Sequence, residues 1–352
     1  MVSSRHRFDK LTDADFQTMT RAVSRAAIAC VVGLVLAAGV ASRTAAQQGP
    51  EPEVAAFIEE MVDKHQFRRV ELQRLFAKVQ TRPSIIRAMT APATARPWHE
   101  FRGSHINNAR IEGGVKFWRL HAGVLERASR EYGVPEEVIV ATIGIETHYG
   151  RNTGNFRVLD ALATLAFQYP RRAEFFRGEL EEYLLLAREA GFDPLAVKGS
   201  YAGAIGIPQF LPSSYRAYAV DFDRDGARDL VGTPADAIGS VANYYRQFGW
   251  RAGEAVAVPA EVEGSSADTV KVAEIKPQTR VAEYRRRGVV PLAAVGDEAE
   301  AALFVLETET GSRYWLGLNN FYVITRYNRS INYAMAVWEL ANEISTAMKR
   351  TR

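Results

Sequence analysis

The chain has very little cysteine: Cys30 is the only one in 352 residues. A single thiol closes no disulfide within the chain and supplies neither a Cys-x-x-Cys redox pair nor a cysteine-rich metal framework. Charge of one sign is also missing. Residues 1–46 hold six of the 44 basic and three of the 41 acidic residues, so 38 of each remain beyond them. That balance removes the electrostatic case for a nucleic-acid partner. The longest apolar run, "AAIACVVGLVLAAGVA", covers 16 residues, short of the roughly 20 that span a bilayer as a helix. Repeats and low-complexity tracts are missing as well.

What is present begins with a leader. Arg21 and Arg25 precede the apolar run and Arg43 and "TAAQQ" follow it, the pattern of a secretory signal peptide over residues 1–46, with cleavage expected after Ala46. An uncleaved anchor is the alternative, and Met19 is a second candidate start. Cys30 lies inside the leader, so no lipid-attachment box of the Leu-Ala-Gly-Cys kind is formed. The expectation is an exported, soluble, monomeric protein.

With 47% hydrophobic residues the remaining chain can bury a sizeable core. Helix-spaced apolar residues over 47–111, among them Val54, Phe57, Ile58 and Met61, then Val70, Leu72, Leu75 and Phe76, predict an N-terminal helical region punctuated by Pro83, Pro92 and Pro97. Residues 112–253 are helical in pattern and broken by the glycine-rich "GSYAGAIGIPQF". Over 254–318 the period changes: "EAVAVPAEV", "VKVAEI", "AALFVLETE" and "RYWLGL" read as strands of a small β-rich subdomain. Residues 319–352, with "YAMAVWELANEIS", return to helical spacing. The fold class expected is mainly α with a small β part.

The stretch "VIVATIGIETHYGR", residues 138–151, carries the first chemistry. Pro135 suits a first helical residue, Glu136 and Glu137 suit the positive end of the dipole, and Gly150 is placed to end the helix. The segment is apolar on nearly every face, yet it sets Glu146 in its last turn, on a face shared with Ile139, Thr142, Ile143 and Tyr149. Burial and the negative helix end both favour the protonated carboxyl. Such an acid can protonate a departing oxygen near neutral pH. The structural alternative is an ion pair with Arg151, Arg171 or Arg172.

Read together, "ET-x-YG", "LDALATL", "YPRRAEFF", "GS-x-AGA-x-G-x-PQF-x-PSSY" and "DAIGSVANY" resemble the lytic murein transglycosylase B family, glycoside hydrolase family 103, over most of the chain beyond the leader. The resemblance implies a lysozyme-like helical catalytic core. It also implies cleavage of the β-1,4 bond between N-acetylmuramic acid and N-acetylglucosamine, with the muramyl 6-hydroxyl attacking its own anomeric carbon to leave a 1,6-anhydro end. A glycoside hydrolase ordinarily needs two carboxylates. A nucleophile within the substrate lets one suffice, and Glu146 is the residue given that role.

The same resemblance places Ser200 and Gln209 near the acid and Arg171 and Arg172 against the glycan or its peptide. Ala202, Gly203, Ala204 and Gly206 would let backbone approach the sugar. Tyr169, Phe210, Tyr244, Tyr327 and Tyr333, with Asn328, fall in matched segments and suit stacking or hydrogen bonding to sugars, ordinary core packing being the alternative for each aromatic. It implies a periplasmic setting, peptidoglycan strands as substrate, and proteins of cell-wall synthesis or remodelling as partners.

Finally, "DFDRDGARDL" sets Asp221, Asp223 and Asp225 at positions 1, 3 and 5 of an EF-hand-like loop, Gly226 at 6, Ala227 offering its carbonyl at 7, and Asp229 at 9. Position 12 is Gly232 in place of glutamate. The resemblance points to Asp236 as the replacing ligand and to Ca2+ as a structural ion, with no cofactor for the chemistry itself. A solvated Asp-Gly turn is the alternative. Two other functions stay open: a hydrolytic muramidase with Asp160 or Asp221 as second carboxylate, and a non-catalytic peptidoglycan-binding scaffold.

Overall fold

The computed structural model describes residues 51–90, 96–263 and 275–350. The leader, and the predicted strand at 270–275 except Ile275, lie outside the described residues. Among those described there are fourteen α-helices and two small antiparallel sheets, the mainly α architecture expected.

Helix α7 (Glu136–Thr147) is the central element. Val138 through Gly144 are all buried, and α5 (Asn108–Leu120), α6 (Ala122–Tyr132), α11 (Pro234–Gln247) and α14 (Ile331–Arg350) pack around it. A helix apolar on all sides is stable only when enclosed in this way. Its polar Thr142 donates to the Val138 carbonyl at 2.8 Å and lies 2.8 Å from the Tyr245 hydroxyl of α11, so no polar atom there is left without a partner.

Two boundary details differ from expectation. Pro135 is the N-cap and Glu136 the first helical residue, and the left-handed cap is His148 (φ 52°) instead of Gly150. Tyr149 (φ 62°) and Gly150 (φ 83°) continue in the left-handed region. Tyr149 therefore leaves the helical face of Glu146. Its ring instead turns back between α5 and α7, where a Cβ on Gly144 would come within 2.6 Å of its hydroxyl oxygen and one on Gly113 within 2.8 Å of its ring. Two consecutive non-glycine residues in this region cost about 1–2 kcal/mol each, and the ring packing offsets them.

α8 (Val158–Gln168) and α9 (Ala173–Ala190) pair beside this centre and receive the N-terminal helices α1 (Pro52–His65), α2 (Arg69–Phe76) and α3 (Pro83–Thr90). Phe57 meets Phe167 edge-on at 5.9 Å, and Arg177 of α9 donates to Glu60 of α1 at 2.8 Å. A two-stranded ribbon, β1 (Phe156–Arg157) with β2 (Lys198–Gly199), opens the glycine-rich loop. The larger sheet has the order β4-β6-β7-β3-β5, built from β3 (Ala257–Val262), β4 (Thr279–Arg280), β5 (Val289–Pro291), β6 (Glu300–Thr308) and β7 (Gly311–Gly317). It has a small core of its own, including Val258, Val281, Leu303 and Leu316. Phe304 stacks on Phe321 of α13 (Asn319–Thr325) at 4.6 Å, which ties the sheet to the helical body.

Candidate active site

Glu146 is half-buried at the end of α7. Tyr333, near the start of α14 and 3% exposed, donates its hydroxyl to Glu146 Oε1 at 2.6 Å. Desolvation pushes the Glu146 carboxyl up to about 7, and the Tyr333 hydrogen bond opposes the rise. No second carboxylate contributes among the described residues, and no arginine pairs with Glu146 there; the predicted alternative of an ion pair with Arg151, Arg171 or Arg172 does not form.

Beneath the carboxylate lies an aromatic cluster. Tyr327 stacks on Tyr333 at 6.3 Å and sits 4.9 Å from Tyr244, 5.7 Å from Tyr245 and 5.8 Å from Phe210. The Tyr327 hydroxyl donates to the Pro208 carbonyl at 2.5 Å and that of Tyr244 to the Arg326 carbonyl at 2.6 Å. Burial raises the hydroxyls of Tyr244, Tyr245, Tyr327 and Tyr333 above their ordinary range, so they remain protonated donors. Four of the predicted aromatics are thus brought together in one cluster, joined to the acid through Tyr333. Tyr169, 8% exposed, sits apart at the end of α8, and Asn328 is exposed just beyond Tyr327.

The glycine-rich loop is fastened at several points. Thr147, next to the acid, donates to the Ile207 carbonyl at 2.8 Å and accepts from the Gly150 amide at 2.9 Å. Ser200 Oγ accepts from the Ala202 and Ala204 amides at 3.2 and 3.0 Å, which leaves its hydroxyl hydrogen to donate. Gln209, at φ 53°, donates its side-chain amide to the Thr153 and Gly206 carbonyls, at 3.0 and 2.9 Å, leaving Oε1 as acceptor. Gly203 and Gly206 are required for packing: added Cβ atoms would come within 2.3 Å of Leu162 and 2.2 Å of the Leu230 carbonyl.

Arg171 and Arg172 fall in a 3-10 turn, Pro170–Arg172, ahead of α9, both exposed. Arg172 lies over the Phe175 ring at 4.2 Å, a cation–π contact. Asp160, a candidate second carboxylate, is 1% exposed and fully engaged: Arg157 Nε and Nη2 each donate to it at 2.8 Å and the Gln80 amide at 3.0 Å. It ties the N-terminal helices to α8 as the buried partner of Arg157.

In the acidic loop, carboxylate oxygens of Asp221, Asp223 and Asp236 lie within 4.8 Å of one another. Asp236 is 1% exposed and accepts from the Phe222 amide at 2.7 Å and the Asp229 amide at 2.8 Å. Asp225 does not join this triad; its Oδ1 accepts from the Ala227 amide at 2.8 Å. An all-oxygen set of this kind suits a hard cation such as Ca2+. Asp221 accepts from the Asp225 and Gly226 amides at 3.1 and 2.9 Å, so it belongs to the loop and not to a second acid for catalysis.

A family model described as a transglycosylase SLT domain matches residues 49–342. The chain belongs to the lytic murein transglycosylases. It is 45% identical over 306 residues to membrane-bound lytic murein transglycosylase B of Escherichia coli strain K12, covering 84% of this chain and 83% of that one. The lytic transglycosylase SltB1 of Pseudomonas aeruginosa, in a catenated form, is 50% identical, with a TM-score of 0.82 over 85% of this chain and 99% of that one. The Escherichia coli lytic transglycosylase Slt35 in complex with calcium is 45% identical, with a TM-score of 0.78 over 84% and 94%. The catalytic body is therefore that of a lysozyme-like enzyme acting on murein. No helix among the described residues is long and apolar enough to cross a membrane.

Sequence reasoning passed over Tyr245 and Thr147. Tyr245 continues the buried spacing Ile238, Val241, Ala242 on α11, a periodic signal that marks it as inward-facing. Thr147 is, after Thr142, the second hydroxyl in an otherwise apolar helix interior, and a buried hydroxyl needs a partner.

Proposed function

We propose that Glu146 acts alone as acid and then base in cleaving the bond between N-acetylmuramic acid and N-acetylglucosamine. The observation that carries this is a single desolvated carboxyl, raised to about 7 and steadied by Tyr333. Protonated, it delivers its hydrogen to the glycosidic oxygen as that bond breaks. The carboxylate so formed takes the proton of the muramyl 6-hydroxyl as that oxygen closes on C1, giving the 1,6-anhydro end and restoring the acid. The aromatic walls exclude water, which favours the internal hydroxyl over hydrolysis. Ser200 and Gln209 supply a donor and an acceptor to the sugar, and Arg171 and the rim residue Asn328 extend the groove.

Calcium, when held by Asp221, Asp223 and Asp236, orders the loop and stays out of the chemistry. A line of bonds supports this: the Asp229 amide reaches Asp236 at 2.8 Å, the Leu230 carbonyl accepts from the Ile207 amide at 2.8 Å, and the Ile207 carbonyl accepts from Thr147. The setting proposed is the periplasm, after export by the leader.

The test is digestion of purified murein by residues 47–352 and by its Glu146→Gln variant, with mass analysis of the soluble fragments. Anhydro-ended fragments from the first, reduced by roughly 10²- to 10⁴-fold in the second, support the assignment. Equal yields would remove Glu146 from the chemistry, and binding without any fragment would favour a scaffold.

A further inference from the structure

Arginine 110 is a buried cation without an acid. It is 7% exposed, and its Nη1 donates to the His105 and Ser104 carbonyls, at 2.7 and 3.3 Å, at the end of α4 (Trp98–His105). Its Nε is buried and has no hydrogen-bond partner, and no acceptor meets Nη2 among the described residues. Guanidinium does not escape burial by losing its proton, and a buried charge is stable only when compensated. The negative end of α4 supplies part of that compensation.

Other cations converge on the same place. Tyr149 donates to the Arg110 carbonyl at 2.7 Å, which brings the turn after Glu146 against Arg110. His148, in that turn, feels the charges of Arg110 and Arg151. Arg96 acts on the neighbouring His105, and its carbonyl accepts from Asn332 at 2.9 Å, one residue before the Tyr333 that holds the catalytic acid. Arg96 and Arg151 are exposed, and neither they nor Arg110 joins an ion pair among the described residues. The murein glycan is built from neutral N-acetyl sugars; its anions sit on the muramyl side arm, as the carboxylates of a stem peptide or the bare lactyl carboxylate where the peptide is removed.

We propose that Arg110, Arg151 and Arg96, with His148, form a seat for a carboxylate of the muramyl side arm beside the scissile bond. This rests on the murein reading of the active site. Arg110 forms the floor and attracts the anion from beneath through its buried, unpaired charge, and the two exposed arginines guide the anion in.

The experiment is binding by calorimetry in the Glu146→Gln background, so that turnover plays no part, with three muramyl tetrasaccharides: one carrying a stem peptide, one a free lactyl carboxylate, and one a neutral lactyl amide. The parent protein is expected to prefer an acidic ligand over the amide by about tenfold. That ratio falls to near one in Arg96→Gln/Arg151→Gln and declines in Arg110→Met, which removes the buried charge. Preference for the peptide-bearing ligand alone assigns the seat to the stem peptide, and equal preference for both acids assigns it to the lactyl position. Equal affinity for acid and amide in the parent, or a ratio unchanged in the double variant with an unaltered Tm, overturns the proposal. Failure of the catalytic assignment would appear separately, as absence of anhydro products from the unmutated protein.

Discussion

Tyr333 donates its hydroxyl to Glu146 Oε1 at 2.6 Å across 187 positions of sequence, joining the first turn of α14 to the last turn of α7. This bond favours the charged carboxylate while the surrounding apolar and aromatic groups favour the acid. The balance leaves a proton donor poised near neutral pH.

The first prediction concerns the alkaline limb of the pH–rate profile. In the proposed reaction Glu146 enters protonated, so kcat/KM is expected to fall as pH rises through about 7. In Tyr333→Phe the opposing hydrogen bond is gone, so that limb moves to higher pH while the rate at its plateau drops through loss of positioning. A pH–rate profile of both proteins checks the pair of effects; an unmoved limb would sever Tyr333 from the acid.

Stability carries the mirror image. A carboxyl raised from 4.5 to about 7 contributes stability that is complete below the unfolded value and is lost as pH rises through the folded one. Glu146→Gln has no such loss. Its stability should match the parent's near pH 4.5 and exceed it above pH 7 by an amount on the order of 3 kcal/mol, with its Tm higher accordingly. Thermal melts across that range would show parallel curves if Glu146 were ordinarily solvated.

The acidic loop makes its own prediction. Excess Ca2+ should raise the Tm of the parent above its value in chelator, because a ligand that binds only the folded state stabilises it. Asp223→Asn should remove most of that gain with little effect in chelator, since its side chain is exposed. Asp236→Asn should also melt earlier in chelator, because its carboxylate holds the Phe222 and Asp229 amides. Identical melts with and without the ion would show the loop to be a turn alone.

Packing behind the acid can be probed at Gly144. A methyl group there meets the Tyr149 hydroxyl oxygen at 2.6 Å, so Gly144→Ala is expected to cost about 1–3 kcal/mol. Gly123→Ala, where nothing lies within 4 Å, is the comparison and should be neutral or slightly stabilising. Denaturant unfolding of the two variants measures the difference.

What could be seen in the sequence follows from range. The enclosed helix and its carboxylate were legible because an apolar run around Glu146 is a local pattern, and the glycine-rich loop and the acidic loop are local motifs too. The match to family motifs marked Tyr327 and Tyr333 as aromatics suited to sugar contacts, but their hydrogen bonds to the Pro208 carbonyl and to Glu146 join distant segments that no spacing encodes. Gly150 was the natural helix stop by glycine's freedom. His148 took the left-handed position because the ring of Tyr149 is gripped between α5 and α7, a tertiary contact that outweighs local preference. Arg110 gave no signal at all, since one arginine in an ordinary helix start looks like any other until its surroundings are known.

In the proposed reaction one carboxylate and the substrate's own hydroxyl replace the second acid and water of a hydrolase. Digestion of murein in water enriched in oxygen-18 tests it most directly, with mass analysis of the fragment ends. The account predicts fragments one water lighter than hydrolysis products and free of the heavy isotope. Full-mass reducing ends carrying oxygen-18 would contradict it and require a second carboxylate.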